Sequence, residues 1–249
     1  MKIYGDYHSH TYFSDGKGSI EQSIIHALSL GLCELAITDH AFKHLTNGIS
    51  HKGFQTELRQ LEEMRIKYPQ IKIYNSLEFN LMGESGKLDV EEKDIQHLDF
   101  LLFGFHKTAQ SEKFSDFWKF KICNNLPIFK PSKMIKERAT KAYLNCLERY
   151  PISFVNHLNY ALNIDIKPIA KLCKEKDIYI ELNGKRVFFD QQEVDIMLEE
   201  GVTFIINSDA HRPEKIGDFS LPIEFAKSHN IPFDRIVNLN QKANLKLLR

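Results

Sequence analysis

GDYHSHTYFSDG, residues 5–16, carries two histidines one residue apart and a turn aspartate close behind them. In a strand, that spacing sends both imidazoles to the same side, and Asp15 in the exposed SDG turn is placed to reach back over the same pocket. Similar residues recur at the ends of later strand-like runs: AITDH (36–40), NSLEFN (75–80), FGFHK (103–107), FVNHLN (154–159) and NSDAH (207–211). His8, His10, His40, His106, His157 and His211 thus gather at such ends, six of the eleven histidines in the chain. Neutral imidazole and carboxylate are the ligand types of zinc, manganese and iron. A parallel α/β sheet or barrel brings its strand ends to one face, so ligands scattered along the chain can converge there.

The intervening sequence supports that architecture. Strand-like runs rich in Ile, Val, Phe, Tyr and Leu cover 2–8, 33–38, 71–78, 99–105, 152–156, 178–183 and 202–207. Helical patterns fill the gaps at about 19–31, 54–67, 133–149, 166–176, 190–200 and 221–229. The first opens with Ser19 and Gln22 in capping-box spacing and closes at Gly31. Ile20, Ile24, Ala27 and Leu28 form its buried face. Seven strands alternating with helices imply an α/β fold with a mainly parallel sheet, closed or nearly closed into a barrel. Its 249 residues and 43% hydrophobic content suit one domain, 1–249, with a substantial core. Two segments interrupt the rhythm: the polar loop 41–53, and an insertion at 107–132 broken by Pro127 and Pro131. Long loops at the functional face of a barrel serve as lids or binding loops more often than as filler.

Each ligand type has an ordinary alternative: a turn aspartate for Asp15, a loop cap for Asp39, a satisfied core histidine for His106 or His157. The joint pattern outweighs them, because chance does not put a ligand type at the end of almost every strand. Glu78 lies in the apolar run SLEFNL, where an uncompensated charge is expensive; a metal is the simplest compensation, and a carboxylate can bridge two. Asp209 and His211 repeat the alternate spacing of His8 and His10, and Asp39, beside His40, suits orienting a nearby imidazole. His26, His97 and His229 read as structural or solvent-facing, and His44 and His51 as loop residues.

The 33 basic and 33 acidic residues cancel, so no long-range field advertises nucleic acid or a membrane as partner. Nine lysines and arginines between Lys107 and Lys141 read as a solvated helical face, or as a positive rim for a phosphorylated substrate. Four dispersed cysteines without a C-x-x-C pair, no apolar leader-like run and no apolar stretch of ~20 residues make the cytoplasm the expected compartment.

Taken in order, H-x-H, S-D-G, T-D-H, an isolated glutamate, two isolated histidines and S-D-A-H resemble the polymerase and histidinol phosphatase (PHP) family of metal-dependent phosphoesterases. The likeness runs over roughly residues 3–211. It implies a distorted (β/α)7 barrel with two or three divalent metals, foremost zinc, otherwise manganese or iron, at the C-terminal ends of the strands. Carried over, one metal falls to His8, His10, Glu78 and Asp209, a second to Glu78, His106 and His157, and a third to Asp15, His40 and His211. The resemblance further implies hydrolysis of a small phosphomonoester, with histidinol phosphate as leading substrate, by water activated on the metals. Asp209, Glu78 and His211 would take part in catalysis. Arg186 matches a phosphate-binding arginine of histidinol phosphatases; Lys107, next to a ligand, is a second choice, and Arg212 reads as a surface charge. The same metal set would serve a nucleotide phosphodiesterase or exonuclease, and a non-catalytic metal-binding regulator is the alternative of another class.

Overall fold

Strand and helix alternate along the chain, and the computed structural model describes residues 2–123 and 133–248. The strands are β1 (Gly5–Asp6), β2 (Glu34–Ile37), β3 (Lys72–Asn75), β4 (Glu78–Asn80), β5 (Leu101–Gly104), β6 (Ile152–Val155), β7 (Tyr179–Asn183) and β8 (Phe204–Asn207). Between and after them come α1 (Ile20–Ser29), α2 (His51–Lys67), α3 (Glu92–Ile95), α4 (Phe114–Asp116), α5 (Lys133–Arg149), α6 (Ile166–Glu175), α7 (Gln191–Glu199) and α8 (Ser220–Ser228). Phe117–Cys123 continues α4 as a π-helical stretch. The two prolines expected to break the 107–132 insertion, and part of its basic run, lie outside the described residues.

Polar caps start α1, α2, α6 and α7 where the sequence changes period. Ser19 and Asp190 each close a full capping box, with Gln22 and Glu193 respectively, while Ser50 and Asp165 accept from the first-turn backbone of α2 and α6. Each satisfies donors that a helix start leaves orphaned, contributing about 1 kcal/mol.

Among the described residues the named strands pair in parallel, in two sheets of order β1-β2-β3 and β4-β5-β6-β7-β8. The run expected at 71–78 is interrupted at Ser76 and Leu77, where Ser76 turns its hydroxyl onto the Phe100 carbonyl. Parallel bridges join the two sheets at both margins, Ser9 with Ala210 and His40 with Glu78. The second seam is reinforced by Glu78 N–H donating to the Asp39 carbonyl at 3.0 Å and Ala41 N–H to that of Glu78 at 3.1 Å.

Two apolar clusters follow the two-residue period of the strands. Leu35, Ile37, Leu101, Phe103, Ile180, Leu182, Phe204 and Ile206 pack with the helices. The alternate residues Ala36, Leu102, Phe154, Tyr179 and Ile205 form a second cluster with Tyr7 and Tyr74. Continuing that second row by steps of two leads from Leu102 to Gly104 and His106, from Tyr179 to Glu181 and Asn183, and from Ile205 to Asn207 and Asp209. The row is apolar at the N-terminal ends and polar at the C-terminal ends, and that change positions the site. No described helix is long and apolar enough to cross a membrane.

Candidate metal centre

Glu78 lies at the middle of the polar end. It is 1% exposed, and five imidazoles surround its carboxylate. Oε1 is 2.7 Å from His157 Nε2, 3.2 Å from His106 Nε2 and 3.4 Å from His8 Nε2; Oε2 is 2.8 Å from His40 Nδ1 and 3.5 Å from His10 Nε2. Burial raises the Glu78 pKa, but the imidazoles of His106, His8 and His40 more than offset this and hold it well below the ordinary carboxylate range.

The spacing tests whether an ion fits. Two donors on one tetrahedral zinc, each about 2.05 Å from it, stand about 3.3 Å apart. His8 Nε2 and His10 Nε2 are 3.2 Å apart, and Asp209 Oδ1 is 3.7 and 3.3 Å from them. With the Glu78 oxygens at 3.4 and 3.5 Å, the two imidazoles keep shell-like spacing to each carboxylate in turn. On the outer side, Asp15 Oδ1 is 3.7 Å from His40 Nε2 and 3.1 Å from His211 Nε2. Among the described residues, donor atoms mutually within 4.8 Å fall into three groups: His10, Asp15, His40 and His211; His8, His10 and Glu78; and His40, Glu78 and His106. His10, His40 and Glu78 are each shared between two groups, while His157 and Asp209, expected as ligands from the sequence, fall in none of the three.

The candidate ligands are held from behind. His8 Nδ1 is 2.8 Å from Glu181 Oε1, a carboxylate that also accepts from Asn207, Asn183 and the His157 backbone. His106 Nδ1 is 2.7 Å from Asn80 Oδ1, whose backbone and side-chain amide both donate to the buried Asp89. Asn156 donates its side-chain amide to Glu78. Asp39 accepts from Thr11 and Ser14 and so ties down the turn that carries Asp15. It orients a loop rather than an imidazole. His157 and Asp209 adopt φ of 28° and 52°, a left-handed backbone that costs non-glycine residues on the order of 1–3 kcal/mol and clusters at functional sites.

Burial lowers the pKa of His10 well below the ordinary imidazole value, helped by His211 and His40. It lowers that of His106 to about 4. Both are therefore neutral donors at pH 7. For His8, burial is outweighed by Glu181, Asp209 and Glu78, which raise it; a cation belongs among those carboxylates, and a metal ion meets the same demand while leaving the ring neutral.

A cavity of about 230 Å³ opens onto the cluster, walled by His40, Glu78, His106, His157, Asp209 and His211 together with Tyr160, Asn183, Lys185, Arg186 and Phe188. Arg186 is thus at the cavity, whereas Lys107 is exposed and does not line it. Lys185, next to Arg186, also lines the cavity and carries no separate signal in the sequence. Its Nζ lies 3.0 Å from Asp209 Oδ1 and 2.8 Å from His211 Nδ1, and nothing in NGKR separates the two cations without the loop geometry. Glu181 was legible in principle: YIELN carries a carboxylate inside an apolar strand, as SLEFNL does. His44, stacked on His40 at 4.4 Å, also borders the cluster. His51 stacks on Phe42 instead, and Arg212 is exposed.

The PHP domain matches residues 6–185. A protein of Shewanella halifaxensis named a probable phosphatase is 26% identical over 266 residues, spanning 100% of this chain and 93% of that protein. The DNA polymerase/3'-5' exonuclease PolX of Bacillus subtilis is 23% identical over 229 residues, spanning 91% of this chain but 37% of PolX. The histidinol phosphate phosphatase of Lactococcus lactis subsp. lactis, solved with zinc, L-histidinol and phosphate, superposes with a TM-score of 0.59 at 18% identity. That match covers 91% of this chain and 92% of the other.

Proposed function

The chain belongs to the PHP domain family, and on that premise we propose that it is a metal-dependent phosphatase hydrolysing a small phosphomonoester, with histidinol phosphate the first substrate to test. The observation that carries this reading is the Glu78 carboxylate within 3.5 Å of five imidazoles. In this reading the seven strand paths, with β3 and β4 as two halves of one, form a distorted (β/α)7 barrel closed through the Ser9–Ala210 and His40–Glu78 bridges. Residues 1–249 act as one domain.

The ligands are His8, His10, Asp15, His40, Glu78, His106, His157, Asp209 and His211, with Glu78 shared between ions. Zinc fits the donor set; manganese and iron take the same ligands. Bound divalent cations supply an activated water near neutral pH and neutralise the phosphate oxygens. The protein does the rest. Glu181 and Asn80 fix the rings of His8 and His106, so that little reorganisation is needed when substrate arrives. Arg186 and Lys185 line the cavity and hold the phosphate, Arg186 through its planar fork. Lys185, lying between Asp209 and His211, helps hold the Asp209 carboxylate ionised as a ligand, and a neighbouring histidine handles the proton for the leaving alcohol oxygen.

The cavity volume favours a small substrate, since pockets for drug-sized ligands run from roughly 300 to 1,000 Å³. The PolX likeness is the specific observation for a second reading, a nucleotide phosphodiesterase or exonuclease. Metal analysis of the purified protein followed by a panel of phosphomonoesters, dinucleotides and single-stranded DNA separates the two. Turnover confined to monoesters is expected. Cleavage of diesters with a steep salt dependence would replace the phosphatase reading, and metal-free protein without turnover would overturn both.

A further inference from the structure

Helix α2 buries Phe54, Glu57 and Leu61 along one face, and Glu57 is the acid in that row. It is 0% exposed, where glutamate is found almost only with a partner. Yet neither of its carboxyl oxygens has a hydrogen-bond donor among the described residues. Its neighbour is a second buried carboxyl group, Asp39 just past β2, within hydrogen-bond reach. Asp39 accepts from the Thr11 backbone at 2.7 Å, from the Thr11 hydroxyl at 2.6 Å and from the Ser14 hydroxyl. A carboxylate offers about four acceptor positions, so these donors leave one open. Two ionised carboxyl groups buried in contact would repel, and burial already penalises each charge. A proton on Glu57 removes one charge and gives Asp39 its fourth donor.

We propose that Glu57 is a neutral carboxylic acid that donates to Asp39 and thereby serves as a positioning residue for the outer donor group, Asp15, His40 and His211. This rests on the metal-centre reading and extends it to α2. Thr11, which Asp39 grips twice, also closes the turn that follows: its carbonyl accepts from the Ser14 and Gly16 backbones at 3.1 and 2.9 Å. Asp15 lies inside that turn. Asn47 donates to its Oδ2 at 2.8 Å, which leaves Oδ1 toward His40 and His211. Asp39 also precedes His40 in the chain, and its carbonyl accepts from Glu78 N–H at 3.0 Å. Burial raises the Glu57 pKa well above the ordinary carboxylate value, and the Asp39 charge and hydrogen bond add to the rise.

Infrared difference spectra of the full chain at neutral pH test the proton. Wild type minus Glu57→Gln should show the carbonyl band of one unionised acid, and its absence would overturn the proposal. Zinc affinity, measured by chelator competition, tests the positioning. Glu57→Gln keeps an N–H donor for Asp39 and should stay within a few-fold of wild type. Glu57→Leu should weaken zinc at the outer group about tenfold, the low end of what supporting residues contribute. In an Asp15→Ala background the leucine substitution should change nothing further, because the group it supports is already broken. A loss of the same size in that background, or equal losses in the glutamine and leucine variants, would reduce Glu57 to packing and overturn the positioning role. Wild type that binds no zinc would remove the metal-centre reading and the positioning role with it, and the infrared band would still show whether Glu57 carries the proton.

Discussion

Glu181 Oε1 stands 2.8 Å from His8 Nδ1, with both side chains fully buried. The carboxylate fixes the ring so that Nε2 faces Glu78 and Asp209, and it favours the proton on Nδ1, which leaves Nε2 free to donate its lone pair. Such outer partners are worth roughly 10–100-fold in metal affinity. Glu181→Gln is expected to lose affinity on that scale, because an amide cannot accept from the ring, Asn207, Asn183 and the His157 backbone together. Competition with a chromogenic chelator reads this directly; unchanged affinity would show that Glu181 only fills space.

Glu78 has no substitute within the cluster. Glu78→Ala removes the carboxylate shared by five imidazoles and should abolish phosphatase activity and at least one equivalent of metal. The fold should persist, since the neighbouring histidines can be neutral. Metal analysis beside far-UV circular dichroism checks both halves. Full metal content with full activity in the folded variant would refute the assignment.

A pH dependence follows from Asp89, which is 3% exposed and whose pKa burial raises to about 6 despite donors from Asn80 and Lys43. Between the unfolded value of 3.8 and about 6, the folded chain holds a proton that the unfolded chain has released. Stability from this group therefore falls as pH rises through that window, by about 3 kcal/mol at 1.36 kcal/mol per pH unit. Other carboxylates with lowered pKa, Glu78 and Asp209 among them, run the opposite way, so the difference between proteins is the informative quantity. Urea unfolding of wild type and Asp89→Asn at pH 4 and pH 7 should show the variant gaining stability relative to wild type as pH rises. A constant difference would sink the prediction.

The sequence is most legible where a period is long. Ile20, Ile24 and Ala27 announce α1, and apolar runs place every strand to within a few residues, because burial on a helix or strand face imposes a repeat. The break between β3 and β4 carried no signal, since Ser76 and Leu77 continue the alternation and only the Phe100 carbonyl draws the serine out. Candidate ligands were visible because histidine and carboxylate are improbable at the ends of apolar strands. Residues that support them were less so. Asn80, Asn156 and Lys185 have ordinary identities in polar loops and strand ends, and they gain meaning only from partners 26, 78 and 24 residues away.

Gly104 shows how closely the backbone of β5 approaches the cluster. A Cβ there would stand 2.5 Å from His157 Cε1 and 2.7 Å from Asn156 Nδ2. Neither group can retreat freely: His157 Nε2 lies 2.7 Å from Glu78 Oε1, Asn156 donates to the same oxygen, and the left-handed φ at His157 leaves its backbone little latitude. Gly104→Ala should therefore displace the ring by a substantial fraction of an ångström while keeping every ligand present. Misplacement on that scale can cost about 10²-fold in rate. The expected result is a large loss of kcat with metal still bound, because eight of the nine candidate ligands are not pressed by the new methyl. Steady-state kinetics with metal analysis would separate this from ligand loss, and activity within a few-fold of wild type would mean that the His157 ring is not held as its contacts imply.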